Sequence, residues 1–279
     1  MNAAPLPRLI VIGAAKAATT WIARQLRTRP DVFMPGPEPH YFSRDFDQGE
    51  GWYRSLFADA RPHQLVAEKS ADYLAHPQAP ARIAVLLPAV QLIAQLRNPV
   101  ERAYSDYCML FRRGTVDGDV ARHLHRATAS EPRFLDDGLY GQHIRRFLDH
   151  FPAEQLKIIL HEDIKHDPAG VTADVLQTLG LPKSPDAAHI EARVNDGASP
   201  LVPLALRRLP SPIKRLVAPL RGNPMFEGAR NLIARPVRYP PLPDDVRRYL
   251  FDFYQQDIED LARILGRDLP GWTVPAMAA

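Results

Sequence analysis

Apolar residues in this chain follow two alternating patterns. Short unbroken apolar runs, typical of strands buried on both faces, are separated by longer segments in which apolar residues recur every three or four positions, as on one face of a helix. The runs predict strands at Leu9–Ile12, Leu65–Glu68, Gln91–Leu96 and Leu156–Leu160. Strands separated by helices favour a parallel sheet with helices on both faces.

The helical segments carry start and stop signals. Pro99 suits a first helical turn, Pro88 stops one helix, and Gly180 and Gly266 follow the ends of two others. The predicted helices are Thr19–Thr28, Pro80–Leu87, Pro99–Arg113, Gly138–His150, Ala169–Leu179 and Leu242–Leu265. We therefore predict one α/β domain over residues 1–279. Within it, the poorly patterned residues 114–137 are a candidate substrate lid, and residues 199–241 are an irregular, basic, proline-rich segment.

Charged side chains lie at or just after the predicted carboxyl ends of three strands. Lys16 follows the first strand, Glu68 ends the second and Lys69 follows it, and Arg97 follows the third. Ligands of open parallel sheets bind at this edge. We therefore expect these residues, which are far apart in the sequence, to meet at one site.

The loop after the first strand has the frame of the phosphate-binding pattern G-x-x-x-x-G-K-[ST]. When Gly13 is aligned with the first Gly of the pattern, Ala18 stands at the position of its second Gly, Thr19 at that of its Lys and Thr20 at that of its Ser or Thr. The lysine of this chain comes earlier, at Lys16. A helix N-terminus after such a loop favours an anion. A lysine placed this early predicts an anionic nucleotide other than a triphosphate. The alternative is an ordinary tight turn with a solvated lysine.

Composition narrows the class of function. The formal net charge is only +3, but residues 199–239 hold eight basic side chains against the one acid Glu227. Such a stretch attracts a polyanion or, weakly, an anionic membrane surface, and no motif indicates nucleic acid. The single Cys108 excludes an internal disulfide, and we find neither a secretory signal nor an apolar run of about 20 residues. The cytoplasm is the expected compartment.

Three further motifs, together with this loop, carry a family resemblance. They are Glu38-Pro39-His40-Tyr41-Phe42, Glu68-Lys69-Ser70 and Arg97-Asn98-Pro99-Val100-Glu101-Arg102-Ala103-Tyr104-Ser105. The chain resembles the sulfotransferases that use 3′-phosphoadenosine 5′-phosphosulfate (PAPS), especially their bacterial and glycan-modifying branch. This implies a P-loop-like α/β fold, PAPS as donor, adenosine 3′,5′-bisphosphate (PAP) as product and no metal requirement.

The resemblance also implies which residues bind the donor. The 5′-phosphosulfate would be held by Lys16, Ala17, Ala18, Thr19, Thr20 and Trp21. Ala18 stands where the family usually has glycine. The 3′-phosphate would be held by Arg97 and Ser105. Lys16 would meet the departing phosphate, and Lys69 would contact the sulfuryl oxygens or that phosphate.

On the acceptor side, the resemblance implies a carboxylate and an imidazole. Glu38 is the favoured general base, and His40 is its orienter or the alternate base. Glu68 is the expected partner of Lys69 or an orienter of the substrate. A surface ion pair is the alternative for Glu68 and Lys69.

These residues lead us to expect a sulfotransferase acting on a hydroxyl of a carbohydrate or lipid-linked acceptor. A small-molecule hydroxyl is the alternative acceptor. A P-loop kinase would need its lysine beside Thr19 and Thr20, and a non-catalytic nucleotide-binding protein would not need both Lys16 and Glu38. The sequence indicates neither the acceptor's identity nor the oligomeric state.

Overall fold

A five-stranded parallel sheet forms the centre of the computed structural model, which describes residues 4–182 and 236–273. The strands are β1 (Leu9–Gly13), β2 (Val32–Phe33), β3 (Leu65–Lys69), β4 (Gln91–Leu96) and β5 (Leu156–Leu160), in the spatial order β2-β3-β1-β4-β5. The predicted α/β class, with helices flanking a parallel sheet, is confirmed. The sequence pattern missed β2 because two residues are too few to show a period.

Ten α-helices lie in the described residues, and each predicted helix corresponds to one of them. They are α1 (Thr19–Arg27), α2 (Gly49–Ser55), α3 (Ala79–Leu86), α4 (Pro99–Arg113), α5 (Val120–His123), α6 (Arg133–Asp136), α7 (Tyr140–Leu148), α8 (His161–His166), α9 (Pro168–Thr178) and α10 (Asp244–Leu265). The four that the sequence pattern missed are short: α2, α5, α6 and α8.

Each face of the sheet has its own apolar layer, and β1 contributes to both. Ile10 and Ile12 belong to the larger cluster, whereas Leu9 and Val11 belong to the smaller one, which α1 and α9 cover. Successive side chains of a strand point to opposite faces. An entirely apolar β1 is therefore what a central strand buried on both sides requires.

The segment predicted as a lid, residues 114–137, is anchored in the core. It contains the single-turn helices α5 and α6, and the side chains of Leu124, Phe134 and Leu135 are fully buried. Burial of these groups ties the segment to the larger apolar layer. Most of the other irregular segment, residues 199–241, lies outside the described residues.

The long helix α10 closes the larger layer by packing against α7 and α4. The hydroxyl of Tyr254 donates to the carbonyl of Leu135 (2.8 Å), and the carboxylate of Asp257 accepts from the first-turn N–H groups of Gly141 and Gln142. Among the described helices, none combines the length and apolar character needed to cross a membrane.

Candidate active site

The loop that joins β1 to α1 leaves the helix N-terminus open to a ligand. Ala18, the residue before α1, makes no side-chain cap, and the first turn holds no acidic residue. Lys16 and Ala18 both have left-handed backbone, with φ of 70° and 63°. The positive φ that favours glycine is thus adopted by Ala18 itself, although it is costly for a residue with a Cβ atom. Strain of this kind is typical of functional sites.

Fewer backbone N–H groups are available to bind a phosphate than the resemblance implies. The backbone N–H of Ala17 donates to the carbonyl of Ala14 (3.2 Å), and that of Trp21 donates to Ala18 (2.8 Å). These two groups are therefore used within the loop, and the Trp21 side chain is fully buried in the smaller layer. The N–H groups that remain for an anion are those of Ala18, Thr19 and Thr20.

Positive charge gathers around Lys16. Burial is the main cause that lowers the pKa of Lys16, and the negative charge of Asp106 opposes it. Three guanidinium groups lower this pKa further, those of Arg113, Arg133 and Arg97. The buried Asp106 is already held by Arg133 through two hydrogen bonds, at 2.9 and 2.7 Å. A half-buried ammonium with several cationic neighbours favours an anionic ligand.

The other predicted donor contacts lie at the end of β4 and on α4. Arg97 follows β4 directly, and its guanidinium is 3.7 Å from the carboxylate of Glu101, which also binds Arg247 (2.7 Å). Asn98 caps α4 by accepting from the next backbone N–H groups. Ser105 lies on α4 and is half-buried. The Arg97 guanidinium is also one of the charges that lower the pKa of Lys16.

Glu38 lies in the loop that follows β2, and Arg27 of α1 shapes this loop. The Arg27 guanidinium donates to the carbonyls of Pro35 (2.8 Å) and Gly36 (3.0 Å). One oxygen of Glu38 accepts from Lys69 Nζ (2.6 Å), and the other accepts from the backbone N–H of Ala71 (2.9 Å). The partner of Lys69 is therefore Glu38, not Glu68 as the sequence predicted.

Ala71 brings the two loops together. A Cβ atom on Gly13 would lie only 2.7 Å from the Ala71 carbonyl oxygen, so the Lys16 loop and the chain after β3 touch at this glycine. The N–H of the same Ala71 binds Glu38. Ala71 thus links the loop that carries Lys16, the candidate donor-binding lysine, to Glu38, the candidate base.

His40 lies beside Glu38 and is held by two hydrogen bonds. Its backbone N–H donates to Ser70 Oγ (2.9 Å), its Nδ1 is 2.6 Å from Asp72 Oδ1, and its Nε2 is 4.0 Å from Glu38 Oε2. The carboxylates and imidazole of Glu38, His40 and Asp72 are close enough to ligate a cation. Each already has a protein partner, however, and the ammonium of Lys69 occupies Glu38. Both carboxylates therefore already accept hydrogen bonds from the protein.

Glu68, predicted to contact the acceptor, has no access to it. Its side chain is 0% exposed and accepts hydrogen bonds from Tyr53 (2.6 Å), Ser70 (3.0 Å) and Tyr73 (3.3 Å). Burial raises the pKa of Glu68 to about 7, against the opposing effect of these hydroxyls. Because Ser70 also binds the His40 N–H, the buried Glu68 supports the loop that carries His40.

We expect Glu68→Gln to flatten the pH dependence of stability. The pKa of this carboxyl is about 7 in the folded chain against an ordinary value of 4.5. Its contribution to stability is therefore complete below 4.5 and is lost as the pH rises through about 7. The free energy of unfolding of the native chain, relative to Glu68→Gln, should fall by about 3 kcal/mol over this window. Urea unfolding of both chains at several pH values measures this difference.

Glu259→Gln provides the matched control, because Glu259 is exposed on α10. Its stability should follow that of the native chain at every pH. Parallel profiles for Glu68→Gln and the native chain would show that Glu68 stays ionised when folded.

Sequence reasoning missed Asp72 and Ser43, which complete the surroundings of His40. Ser43 Oγ is 2.8 Å from Asp72 Oδ2 and 3.0 Å from the His40 carbonyl oxygen. Sequence reasoning also missed Arg113 and Arg133 near Lys16. The only sequence signal for Asp72 was its place soon after a predicted strand end.

Comparisons with known proteins agree with this geometry. A model described as the sulfotransferase family matches residues 50–186. Human heparan sulfate glucosamine 3-O-sulfotransferase 3B1 is 35% identical over 63% of this chain and 46% of its own length. The mouse 3B1 enzyme is 30% identical over 96% of this chain and 65% of its own length. The chain thus spans less than two thirds of these curated relatives.

A solved structure extends the likeness to the fold. The sulfotransferase from Alicyclobacillus acidocaldarius is 25% identical, has a TM-score of 0.70, and is matched over 96% of this chain and 99% of that one. A sulfotransferase domain of the Synechococcus PCC 7002 olefin synthase shares the fold, with a TM-score of 0.51 at 16% identity. Sequence and fold are thus both similar to those of sulfotransferases along nearly all of the chain.

Proposed function

We propose that this protein transfers a sulfuryl group from PAPS to a hydroxyl of a carbohydrate acceptor. The observation that carries this proposal is the contact through Ala71, which joins the Lys16 loop to Glu38 and so sets a cationic donor site beside an acid–base pair. PAPS is the donor implied by the family. The matched relatives are named for heparan sulfate glucosamine, which supports a glycan as acceptor.

The reaction makes three demands on these residues. The bond between sulfur and the 5′-phosphate oxygen breaks while the acceptor oxygen bonds to sulfur, PAP departs, and the acceptor hydroxyl loses its proton. Transfer of this kind depends on alignment and on stabilising the charge that spreads in the transition state. Lys16 meets the departing phosphate, and the half-buried pair of Glu38 and His40 faces the acceptor proton.

Lys69 connects the two sides. Its ammonium, almost fully buried, binds Glu38 at 2.6 Å. The sulfuryl oxygens of PAPS would offer it a second anionic partner. If Lys69 exchanged Glu38 for the sulfuryl oxygens, the binding of PAPS would release Glu38 from its ion pair.

The position of the lysine argues against a P-loop kinase. Thr19 occupies the place of the lysine that reaches a γ-phosphate, and Lys16 lies earlier, with left-handed backbone. Arg97 at the end of β4 supplies a second cation suited to a phosphate elsewhere on the ligand. Two anion contacts fit a nucleotide that carries charge at both its 5′ and 3′ ends.

Ligand-induced stabilisation tests this proposal. PAP at about 100 times its dissociation constant should stabilise the fold by about 2.7 kcal/mol. Adenosine 5′-monophosphate and Mg²⁺-ATP should do less at the same concentration, because neither carries a 3′-phosphate. Arg97→Ala should weaken the binding of PAP by about 1.5–3 kcal/mol, the range for a hydrogen bond to a charged group. The same substitution should leave the binding of adenosine 5′-monophosphate nearly unchanged.

Arg267→Ala is the matched control, since the Arg267 side chain pairs with the half-exposed Asp163 on the surface. It should bind PAP as the native chain does. If Arg97→Ala weakened the binding of PAP and of adenosine 5′-monophosphate equally, Arg97 would not be the residue that binds the 3′-phosphate. Stronger stabilisation by Mg²⁺-ATP than by PAP would contradict the sulfotransferase proposal itself.

A further inference from the structure

His40 is held in a conformation that its own backbone disfavours. Its φ of 51° is left-handed, which is uncommon for a residue other than glycine, asparagine or aspartate. The backbone N–H of His40 donates to Ser70 Oγ (2.9 Å), and its carbonyl oxygen accepts from the backbone N–H groups of Ser43 (3.2 Å) and Asp45 (3.1 Å). Contacts on both sides of the residue therefore maintain a backbone that aims the imidazole. Strain maintained in this way points to a requirement for orientation.

The imidazole orientation is set by Asp72. Nδ1 of His40 is 2.6 Å from Asp72 Oδ1, a distance typical of a strong, charge-assisted hydrogen bond. Burial by itself would raise the pKa of Asp72, but hydrogen bonds from His40 and Ser43 bring it below its ordinary value. Asp72 is therefore an ionised acceptor, and Nδ1 carries the proton. In the neutral ring Nε2 must then carry a free lone pair.

That lone pair faces Glu38. Nε2 is 4.0 Å from Glu38 Oε2, so two proton acceptors lie opposite each other with a gap between them. Both oxygens of Glu38 already accept hydrogen bonds, one of them from the ammonium of Lys69. An ionised carboxylate has about four lone-pair sites, so Glu38 can still accept. Of this pair, however, Nε2 of His40 is the acceptor atom that has no hydrogen-bond donor among the described residues.

We infer that Asp72 is a positioning residue for sulfuryl transfer, which holds His40 with its proton on Nδ1 so that Nε2 accepts the proton of the acceptor hydroxyl. The inference rests on the proposed function. The acceptor oxygen, as its proton passes to Nε2, bonds to sulfur while the bond from sulfur to the phosphate oxygen breaks. The imidazolium that forms lies between the carboxylates of Asp72 and Glu38. Solvent then receives the proton, and PAP leaves as the anion.

Asp72→Asn tests the inference by two readouts. The amide can donate to Nδ1, which would move the ring proton to Nε2 and remove the base. Where an aspartate orients a catalytic imidazole, the corresponding change costs up to about 10⁴ in kcat, and we expect a loss of about 10²-fold or more here. Nitrogen NMR of the imidazole reports the tautomer directly. The chain has ten histidines, so the His40→Asn spectrum identifies the signals of His40.

Three companion variants and measurements make the result decisive. Asp174→Asn breaks an ion pair with Lys157 far from the site in sequence and should keep full turnover. Ser43→Ala removes one contact of Asp72 and should cost less than Asp72→Asn does. Stabilisation of Asp72→Asn by PAP should match that of the native chain, which separates loss of the base from loss of the fold.

The inference is wrong if Asp72→Asn turns over as fast as Asp174→Asn, or if Nε2 carries the proton in native His40. Failure of the proposed function is visible separately, as absence of selective PAP binding by the native chain. The tautomer measurement needs neither PAPS nor an acceptor substrate. It therefore shows whether Asp72 fixes the tautomer of His40 even if the proposed function is wrong.

Discussion

Lys16→Met should slow turnover by about 10²–10³-fold, the cost of losing one contact that stabilises transition-state charge. Methionine keeps most of the length and apolar body of the side chain but removes the ammonium. Negative charge on the departing phosphate develops only as its bond to sulfur breaks, so kcat should fall more than the affinity for PAP. Single-turnover rates with saturating PAPS, together with PAP titration, measure the two effects separately.

Lys157→Met is the control for this prediction. Lys157 lies on β5 and pairs with Asp174 on the surface at 2.7 Å. Its loss should leave kcat unchanged. If Lys16→Met lost PAP affinity and turnover to the same extent, Lys16 would bind the donor without stabilising the transition state.

The donor side of the site could be predicted because it depends on the ends of strands. The apolar run Leu9–Ile12 fixes where β1 ends, and Gln91–Leu96 does the same for β4. In a parallel sheet these ends share one edge, which places Lys16 and Arg97 together without any knowledge of loop paths. The family motifs then add the chemistry. The single-domain boundary and the compartment stay predictions.

The acceptor side could be predicted only in part, because its contacts run between loops. Because Glu68 and Lys69 are adjacent on a strand, their side chains must point to opposite faces. The sequence does not show which of them points into the core and which points towards Glu38. Burial of Glu68 against Tyr53 and Tyr73 is a tertiary contact with no local signature. Asp72 is likewise recognisable only once the turn after β3 meets the His40 loop.

The largest loss of turnover should follow His40→Asn, because removing a general base costs about 10²–10⁴-fold. Asparagine suits the substitution, since it tolerates the left-handed backbone of this position. His150→Gln, at an exposed histidine after α7, should keep full activity. Turnover of both variants and of the native chain is compared at saturating PAPS, and their affinity for PAP is measured separately, so that a change in donor binding does not affect the comparison.

Glu38→Gln distinguishes the two candidate bases. The resemblance to glycan-type enzymes favours Glu38, whereas the contacts favour His40. Each oxygen of Glu38 already accepts a hydrogen bond, from Lys69 or from Ala71, and Nε2 of His40 has no donor in the part of the chain that the structure describes. Glutamine keeps an oxygen for the Ala71 N–H but weakens the hold on Lys69. Its cost in kcat should therefore be smaller than that of His40→Asn. The opposite order, with Glu38→Gln inactive and His40→Asn active, would return the role of base to Glu38 and leave His40 as its orienter.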